Sequence, residues 1–427
     1  MMKIMPVDDF DPREFKTPPI QTGNEIEAAV DAILLNVRQK GDQALIEYAQ
    51  KFDHAALSAV TVSEEEMDEA MAACDEAFLE ILRGAKKNIE AFHRRQARSS
   101  FVISEEAGKV MGQRVIPLKR VGLYVPGGTA AYPSSVLMNA IPPKIAGVKE
   151  IIITTPPGKD GKVNPAILCA ARIAGVTRII KAGGAQAIAA LAYGTESVPA
   201  VDKIVGPGNV YVATAKRRVY GIVDIDMIAG PSEILVLADG KSNPAFVAAD
   251  LLSQAEHDRL ASAILVTDSE TLARQVQQEV ENQLRQLPRE EIARASIDAN
   301  GKIVVAHDLE QGVEIANLIA PEHLEICVDD PFAYLSKIES AGSVFLGRNV
   351  PEALGDYWAG PNHTLPTSGT ARFSSPLSVD DFVKKSQFLY YSREALEEAC
   401  GSIVSFAKRE GLYGHANSVA IRFGEKA

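Results

Sequence analysis

A six-residue pattern that occurs twice constrains this chain more than any other feature. Ala146-Gly147-Val148-Lys149-Glu150-Ile151 is echoed by Ala174-Gly175-Val176-Thr177-Arg178-Ile179, and Val201-Asp202-Lys203-Ile204 follows at similar spacing. Each unit ends a helical stretch, turns on a small residue and enters a β-branched run. Repeated helix-to-strand units of this length require crossover connections, and these produce a parallel sheet with helices on its faces. Further strands are expected at Glu233–Leu237, Ser262–Thr267, Lys302–Val305, His323–Val328 and Ser343–Leu346, with helices between most of them.

Upstream the texture is helical. Ile26, Val30, Ile33, Leu34 and Val37 recur at helical spacing, and Gly41-Asp42 reads as a stop followed by a new N-cap. Ser63 and Glu66 form a capping-box pattern ahead of Met67, Met71, Cys74, Phe78 and Leu82, which reads as one apolar helix face. The expected fold is therefore α/β: two incomplete Rossmann-like parallel-sheet domains with an N-terminal helical region and a small C-terminal tail domain. The expected borders are residues 1–114 for the helical region, 115–230 for the first α/β domain, 231–370 for the second and 371–427 for the tail.

Charge and cysteine usage narrow the setting. A formal charge of −12 disfavours an electrostatic grip on nucleic acid or anionic membrane. The start, MMKIMPVDDFDP, lacks a signal peptide's basic and apolar regions, and no apolar run has the length of a membrane span. Cys74, Cys169, Cys327 and Cys400 are scattered without a CxxC pair, and Cys74 and Cys327 read as buried thiols. A reducing cytoplasm is the expected location.

Several segments could carry chemistry. Gly122–Gly128 and Val205-Gly206-Pro207-Gly208-Asn209 are glycine-rich turns, and Gly183-Gly184-Ala185-Gln186 opens a helix after a strand. Such turns let backbone amides approach a pyrophosphate, although none is GxGxxG and tight structural turns account for them equally well. Gln254 and His257 stand three residues apart in an expected helix, Asn243–Asp258, on one face; this is also a common surface or capping arrangement. Glu322-His323 precedes a strand as a carboxylate–imidazole pair suited to acid/base work, or as incidental polar residues at a boundary. The segment 355–367, with Asp356, Trp358 and His363, reads as loop throughout, and Glu410 and His415 lie in the tail beyond a charged helical stretch, Asp380–Cys400. His54, His93 and His307 sit among charged residues and read as structural or solvated.

Together these segments closely resemble the histidinol dehydrogenase family. The matching stretches are VGLYVPGG, GGAQAIAALAYGTESVP, VDKIVGPGN, AGPSEILV, DLLSQAEHD, APEHLE, AGSVFLG and GDYWAGPNHTLPT, in order across most of the chain. The resemblance implies NAD-dependent, four-electron oxidation of L-histidinol through L-histidinaldehyde to L-histidine. It implies a zinc ion on Gln254, His257, Asp356 and His415, and catalytic acid/base roles for Glu322 and His323. It further implies substrate contacts from Ser232, His363 and Glu410 together with the zinc ligands and the catalytic pair, and NAD contacts from Tyr124, Gln186 and Asn209. It also implies a homodimer in which each tail completes the partner's active site. A sister dehydrogenase acting on another small hydroxylated substrate is disfavoured because Ser232, Glu322, His363 and Glu410 all match. A zinc hydrolase lacks an HExxH motif, and a non-catalytic binding module would leave Glu322 and His323 unexplained.

Overall fold

The repeated pattern is a helix-terminating device. A computed structural model describes residues 1–15, 23–104, 106–127 and 131–424. In it, the helices Pro133–Ala146 and Pro165–Ala174 end on Gly147 and Gly175, both left-handed with φ +94° and +79°. The next residues fold back identically: Val148 N–H donates to the Pro143 carbonyl at 3.0 Å, and Val176 N–H to that of Ala171 at 3.0 Å. These paired returns satisfy the last helical carbonyls and aim the chain into the following strand.

Two compact units result. The first comprises Met1–Gln96 and Leu118–Phe382, the second Ala97–Pro117 and Val383–Ala427. Within the first unit, one parallel sheet has the spatial order Arg178–Lys181, Glu150–Thr155, Arg120–Tyr124, Lys203–Val205, Asp224–Ile225. A second has the order Lys3–Pro6, Lys302–Val305, Ser262–Thr267, Glu233–Ala238, His323–Cys327, Ser343–Leu346, again all parallel. Numbered along the chain within each sheet, both run 3-2-1-4-5, the doubly wound order, and the strand at Lys3–Pro6 extends the second sheet at its edge. Glu233–Ala238 and Ser262–Thr267 are buried along their whole length, as central parallel strands covered on both faces must be. The expected α/β class with two incomplete Rossmann-like sheets is the observed one.

The second unit is built on a three-stranded antiparallel sheet, Val383–Tyr391 beside Lys109–Pro117 beside Phe101–Ile103, followed by the helices Arg393–Arg409 and Tyr413–Ala420. Several local expectations change. Residues 1–114 form no separate region, because Lys3–Pro6 joins the second sheet, the helix Asn24–Lys40 packs on the helices of the first, and Ala97–Pro117 pairs with the tail. The stripe from Met67 to Leu82 is two helices: Glu64–Ala73, started by the Ser63/Glu66 capping box, ends at Cys74, and Asp75 caps Glu76–His93. Gly41, rather than Asp42, is the N-cap of the next helix, and Asp42 instead bonds Thr195 and Ser197. The charged stretch Asp380–Cys400 begins in a short 3-10 helix, Val379–Phe382, and continues as the strand Val383–Tyr391, where pairing with Lys109–Pro117 overrides the polar composition; its α-helix starts at Arg393. Cys74 is half-buried rather than buried, and its sulfur lies 2.8 Å from that of Cys169; all four cysteines are free.

Candidate active site

The two sheets of the first unit offer opposite strand ends to one cavity of about 1080 Å³. From the first sheet come the turns that follow carboxyl ends, Pro126-Gly127 and Pro207-Gly208-Asn209. From the second come residues at amino ends, Ser232 before one strand and Glu322-His323 at the start of its neighbour.

The turn after Lys203–Val205 is shaped by a buried ion pair. Lys216 Nζ donates to the Gly206 carbonyl at 3.0 Å and pairs with Asp226, whose other oxygen accepts the Gly206 N–H at 2.7 Å. Gly206 itself sits at φ +112°, and a Cβ there would lie 2.2 Å from the Tyr124 carbonyl oxygen, so the adjacent strand ends can meet only without a side chain. Asn209 caps the following helix by accepting from the Tyr211 and Val212 N–H groups at 3.0 and 3.2 Å. The helix Gly184–Tyr193 has a glycine, Gly183, at its N-cap, and its Gly184 N–H donates instead to the Tyr124 hydroxyl at 3.1 Å. Tyr124 and Gln186 are buried beneath these turns and do not line the cavity, whereas Asn209 does. Gly128 lies outside the described residues.

On the other wall the helix Pro244–Ala255 stops before His257. Its final turn is closed by the His257 N–H, which donates to the Gln254 carbonyl at 3.1 Å. The expected shared helical face is therefore replaced by a buried Gln254 and an exposed His257 just past the helix end, both on the cavity. The segment expected as loop begins as a wide helical turn, Gly355–Ala359, pinned where Asn88 Nδ2 donates to the Trp358 carbonyl at 2.8 Å. That turn carries Asp356, whose Oδ1 lies 3.7 Å from His363 Nδ1, and His363 Nε2 is 3.3 Å from the Ser135 hydroxyl.

His323 is held from behind. Its Nδ1 lies 3.0 Å from both the Glu233 carbonyl oxygen and Gln254 Nε2, so backbone and side chain together position the ring through Nδ1. Nε2 is buried without a hydrogen-bond partner, as is Gln254 Oε1. Burial lowers the imidazole's pKa to about 4, against the opposing pull of Asp356, so the ring is neutral. Burial raises the Glu322 carboxyl well above the usual carboxylate range; the Glu233 N–H on Oε2 at 2.9 Å opposes this, and the Glu233 and Asp356 charges add to it. His363 is likewise kept below its ordinary value, first by burial.

The structure thus brings together Ser232, Gln254, His257, Glu322, His323, Asp356, His363 and Asn209 on one cavity. Glu410 and His415 belong to the second unit, exposed, at the end of the helix Arg393–Arg409 and in the helix Tyr413–Ala420. One cavity residue escaped the sequence reading. Glu352 is 2% exposed, and its carboxylate stands with His257 and Asp356 such that candidate ligand atoms of all three lie within 4.8 Å of one another. Its spacing of four from Asp356 was the available signal, hidden by reading the segment as loop.

Known proteins agree with this architecture. The family model of histidinol dehydrogenase matches residues 17–423. The chain belongs to the histidinol dehydrogenase family. A histidinol dehydrogenase of Clostridium acetobutylicum is 58% identical over 399 residues, covering 93% of each chain. That of Syntrophotalea carbinolica is 56% identical and covers 99% of each. The crystal structure of histidinol dehydrogenase from Elizabethkingia anophelis superposes with a TM-score of 0.93 at 40% identity, covering 99% of this chain and 98% of that one.

Proposed function

We propose that this chain oxidises L-histidinol through L-histidinaldehyde to L-histidine, the last step of histidine biosynthesis, using NAD and a zinc ion. The observation that carries the reading is His323: a neutral, buried imidazole positioned through Nδ1 by Glu233 and Gln254, with its unpartnered Nε2 beside other cavity-facing donors.

The residues fit a divalent cation. Gln254 Oε1 is a buried oxygen with no partner, and His257 and Asp356 supply an imidazole and a carboxylate nearby. Gln254, His257 and Asp356 would hold the metal, with His415 as a further ligand. Zinc bound there supplies a Lewis-acidic anchor for the imidazole and amine of the substrate. The cofactor end fits as well: the turns Pro126-Gly127 and Pro207-Gly208-Asn209 lie at the carboxyl ends of a doubly wound sheet, where Asn209 opens a helix. Asn209 would line the NAD site with Tyr124 and Gln186 behind it, and bound NAD would supply the hydride acceptor.

The chain's own groups manage protons. In the first oxidation His323 Nε2 accepts the alcohol proton as the carbinol carbon gives up hydride. In the second, water adds to the aldehyde carbon, with Glu322 and His323 as the bases that take its protons. The sum is one histidinol, two NAD and one water giving one histidine, two NADH and protons. A cysteine thioester route has no suitable thiol in this reading, because Cys327 is buried at the far end of its strand with its thiol pushed up by burial. Ser232, His363 and Glu410 complete the substrate contacts.

We further infer a cytoplasmic homodimer whose tails exchange, so that Glu410 and His415 serve the partner's site. Phe388, Leu389, Tyr390, Phe406, Tyr413 and Ile421 of the second unit are large and exposed in the single chain, as a surface awaiting a second copy would be. Four free cysteines suit a reducing compartment. No helix among the described residues is long and apolar enough to cross a membrane.

Stoichiometry tests the activity. Purified protein with L-histidinol and NAD should yield two NADH and one histidine per histidinol consumed. Release of free aldehyde at one NADH per turnover would overturn the single-site scheme.

A further inference from the structure

The turn Gly355–Ala359 brings Asp356 to the cavity, where its Oδ1 lies 3.7 Å from His363 Nδ1 and 3.9 Å from His323 Nε2. A single wide helical turn of this kind is rare, and it keeps its shape only if its neighbours enforce it. Two residues beyond Asp356 stands Trp358, the chain's one tryptophan, half exposed and outside the cavity lining.

The indole lies over the helix Glu76–His93. A Cβ at Gly84 would sit 2.6 Å from Trp358 Cη2 and 3.1 Å from Cζ3, so the benzo edge of the ring fills the space that any other residue would take. Glycine is a poor helix former, and Gly84 stands in the middle of this 18-residue helix. The ring it admits explains its place there. One helical turn on, Asn88 holds the same segment. Its Nδ2 donates to the Trp358 carbonyl at 2.8 Å, and a Cβ at Gly360 would lie 2.5 Å from the Asn88 carbonyl oxygen. Gly84 and Asn88 are four residues apart and share a face of the helix, so that face is fitted to residues 358–360.

The helix's other flank, Leu79, Leu82, Ala85 and Ile89, is buried in one core with the helices Pro133–Ala146 and Pro165–Ala174. Those helices cover the first sheet, whose strand ends bear the proposed NAD turns. One helix thus ties the turn that carries Asp356 to the body of the first sheet.

We propose that Trp358, seated at Gly84 and held by Asn88, is a positioning residue that fixes the turn so that Asp356 meets the metal. The inference rests on the metal site of the preceding section and leaves its ligand set unchanged. Without the seat the turn must be ordered each time the ion binds, and affinity falls accordingly.

The test is metal binding by full-length protein, independent of turnover. Metal-free wild type, Trp358→Ala, Gly84→Val and the double variant are titrated with Zn2+ against a chromophoric chelator, after circular dichroism has shown each to be folded. Trp358 is half exposed, so its truncation leaves the core intact. Trp358→Ala should bind Zn2+ about tenfold more weakly, the range for a group that supports a ligand. Gly84→Val should lose a similar factor, because the added side chain expels the ring. The double variant should be no weaker than the worse single one, since the conflict needs both partners. A merely structural seat would lower the urea-unfolding midpoint and leave the Zn2+ affinity of the folded protein unchanged, and that result overturns the proposal. Losses that multiply in the double variant overturn it as well. If the valine variants do not fold, Trp358→Ala decides: weaker binding supports the seat and wild-type affinity overturns it. Wild type that binds no Zn2+ removes the metal reading and this proposal with it, whereas wild type that binds while Trp358→Ala matches it removes only this proposal.

Discussion

His323 and Glu233 meet across two neighbouring parallel strands, with the imidazole Nδ1 3.0 Å from the backbone carbonyl oxygen. Gln254 Nε2 stands at the same 3.0 Å from Nδ1, so main chain and one side chain together orient the proposed base. His323→Ala should lower the rate of the first oxidation by about a hundredfold or more, the range of a positioned general base. Glu322→Gln should weigh more heavily on the second step, which needs water activated. Single-turnover NADH formation from histidinol and from histidinaldehyde separates the two. Equal losses on both substrates would contradict this division of labour.

The Lys216–Asp226 pair predicts a stability effect that travels to the Gly206 turn. Both side chains are almost fully buried, and Asp226 also accepts from Gly206 and Met227 N–H groups. Lys216→Met leaves a buried carboxylate without its cation, which costs about 3–5 kcal/mol. Urea denaturation should show a loss of that size, and the KM for NAD should rise because the Gly206 carbonyl loses its donor. A loss under about 1 kcal/mol would mean that water reaches Asp226 and that the pair does not shape the turn.

The two sheets were legible because the Gly147 and Gly175 terminators and the β-branched runs are local signals. Several strands lie within a residue of their expected borders, such as Ser262–Thr267 and Lys302–Val305. The strand at Lys3–Pro6 was not legible, because its partner Lys302–Val305 is some 300 residues away and four residues carry no periodicity. Val383–Tyr391 failed for a similar reason: its Lys-Lys-Ser-Gln run suits a solvated edge as well as a helix, and only pairing with Lys109–Pro117 decides. At the site, the resemblance named residues, but the contacts that orient them join groups far apart in the chain. Neither the Glu233 carbonyl behind His323 nor the Glu325 carboxylate that accepts the Glu352 N–H can be read from residue types.

His93 predicts a specific acid sensitivity. Expected as structural or solvated, it is fully buried, with Nδ1 2.7 Å from Gln96 Oε1 and Nε2 without a partner. Burial lowers its pKa, against the opposing hydrogen bond to Gln96. The unfolded chain takes up a proton near the ordinary value of 6.5 while the folded chain does not. His93 is therefore neutral toward stability above that pH and lowers it below, by up to about 1.4 kcal/mol per pH unit until the folded form also protonates. His93→Leu should flatten the fall in urea-unfolding free energy below pH 6.5 by one proton's slope, relative to wild type. Parallel pH curves for the two proteins would show that His93 does not titrate on unfolding.

The proposed exchange of tails between subunits has a quantitative consequence. Glu410 and His415 lie in the second compact unit, whereas the other proposed site residues lie in the first. Two inactive variants, His415→Ala and His323→Ala, are denatured, mixed in equal amounts and refolded. If each tail serves the partner, a mixed dimer has one site with an intact body and an intact tail, and one site carrying both lesions. Random pairing makes about half the dimers mixed, so roughly a quarter of wild-type activity should return. If each subunit used its own tail, every site would hold one lesion and no activity would return. Native mass spectrometry on differentially labelled subunits establishes whether mixed dimers are present. Inactive mixed dimers would exclude a shared site, and no mixed species at all would exclude the dimer.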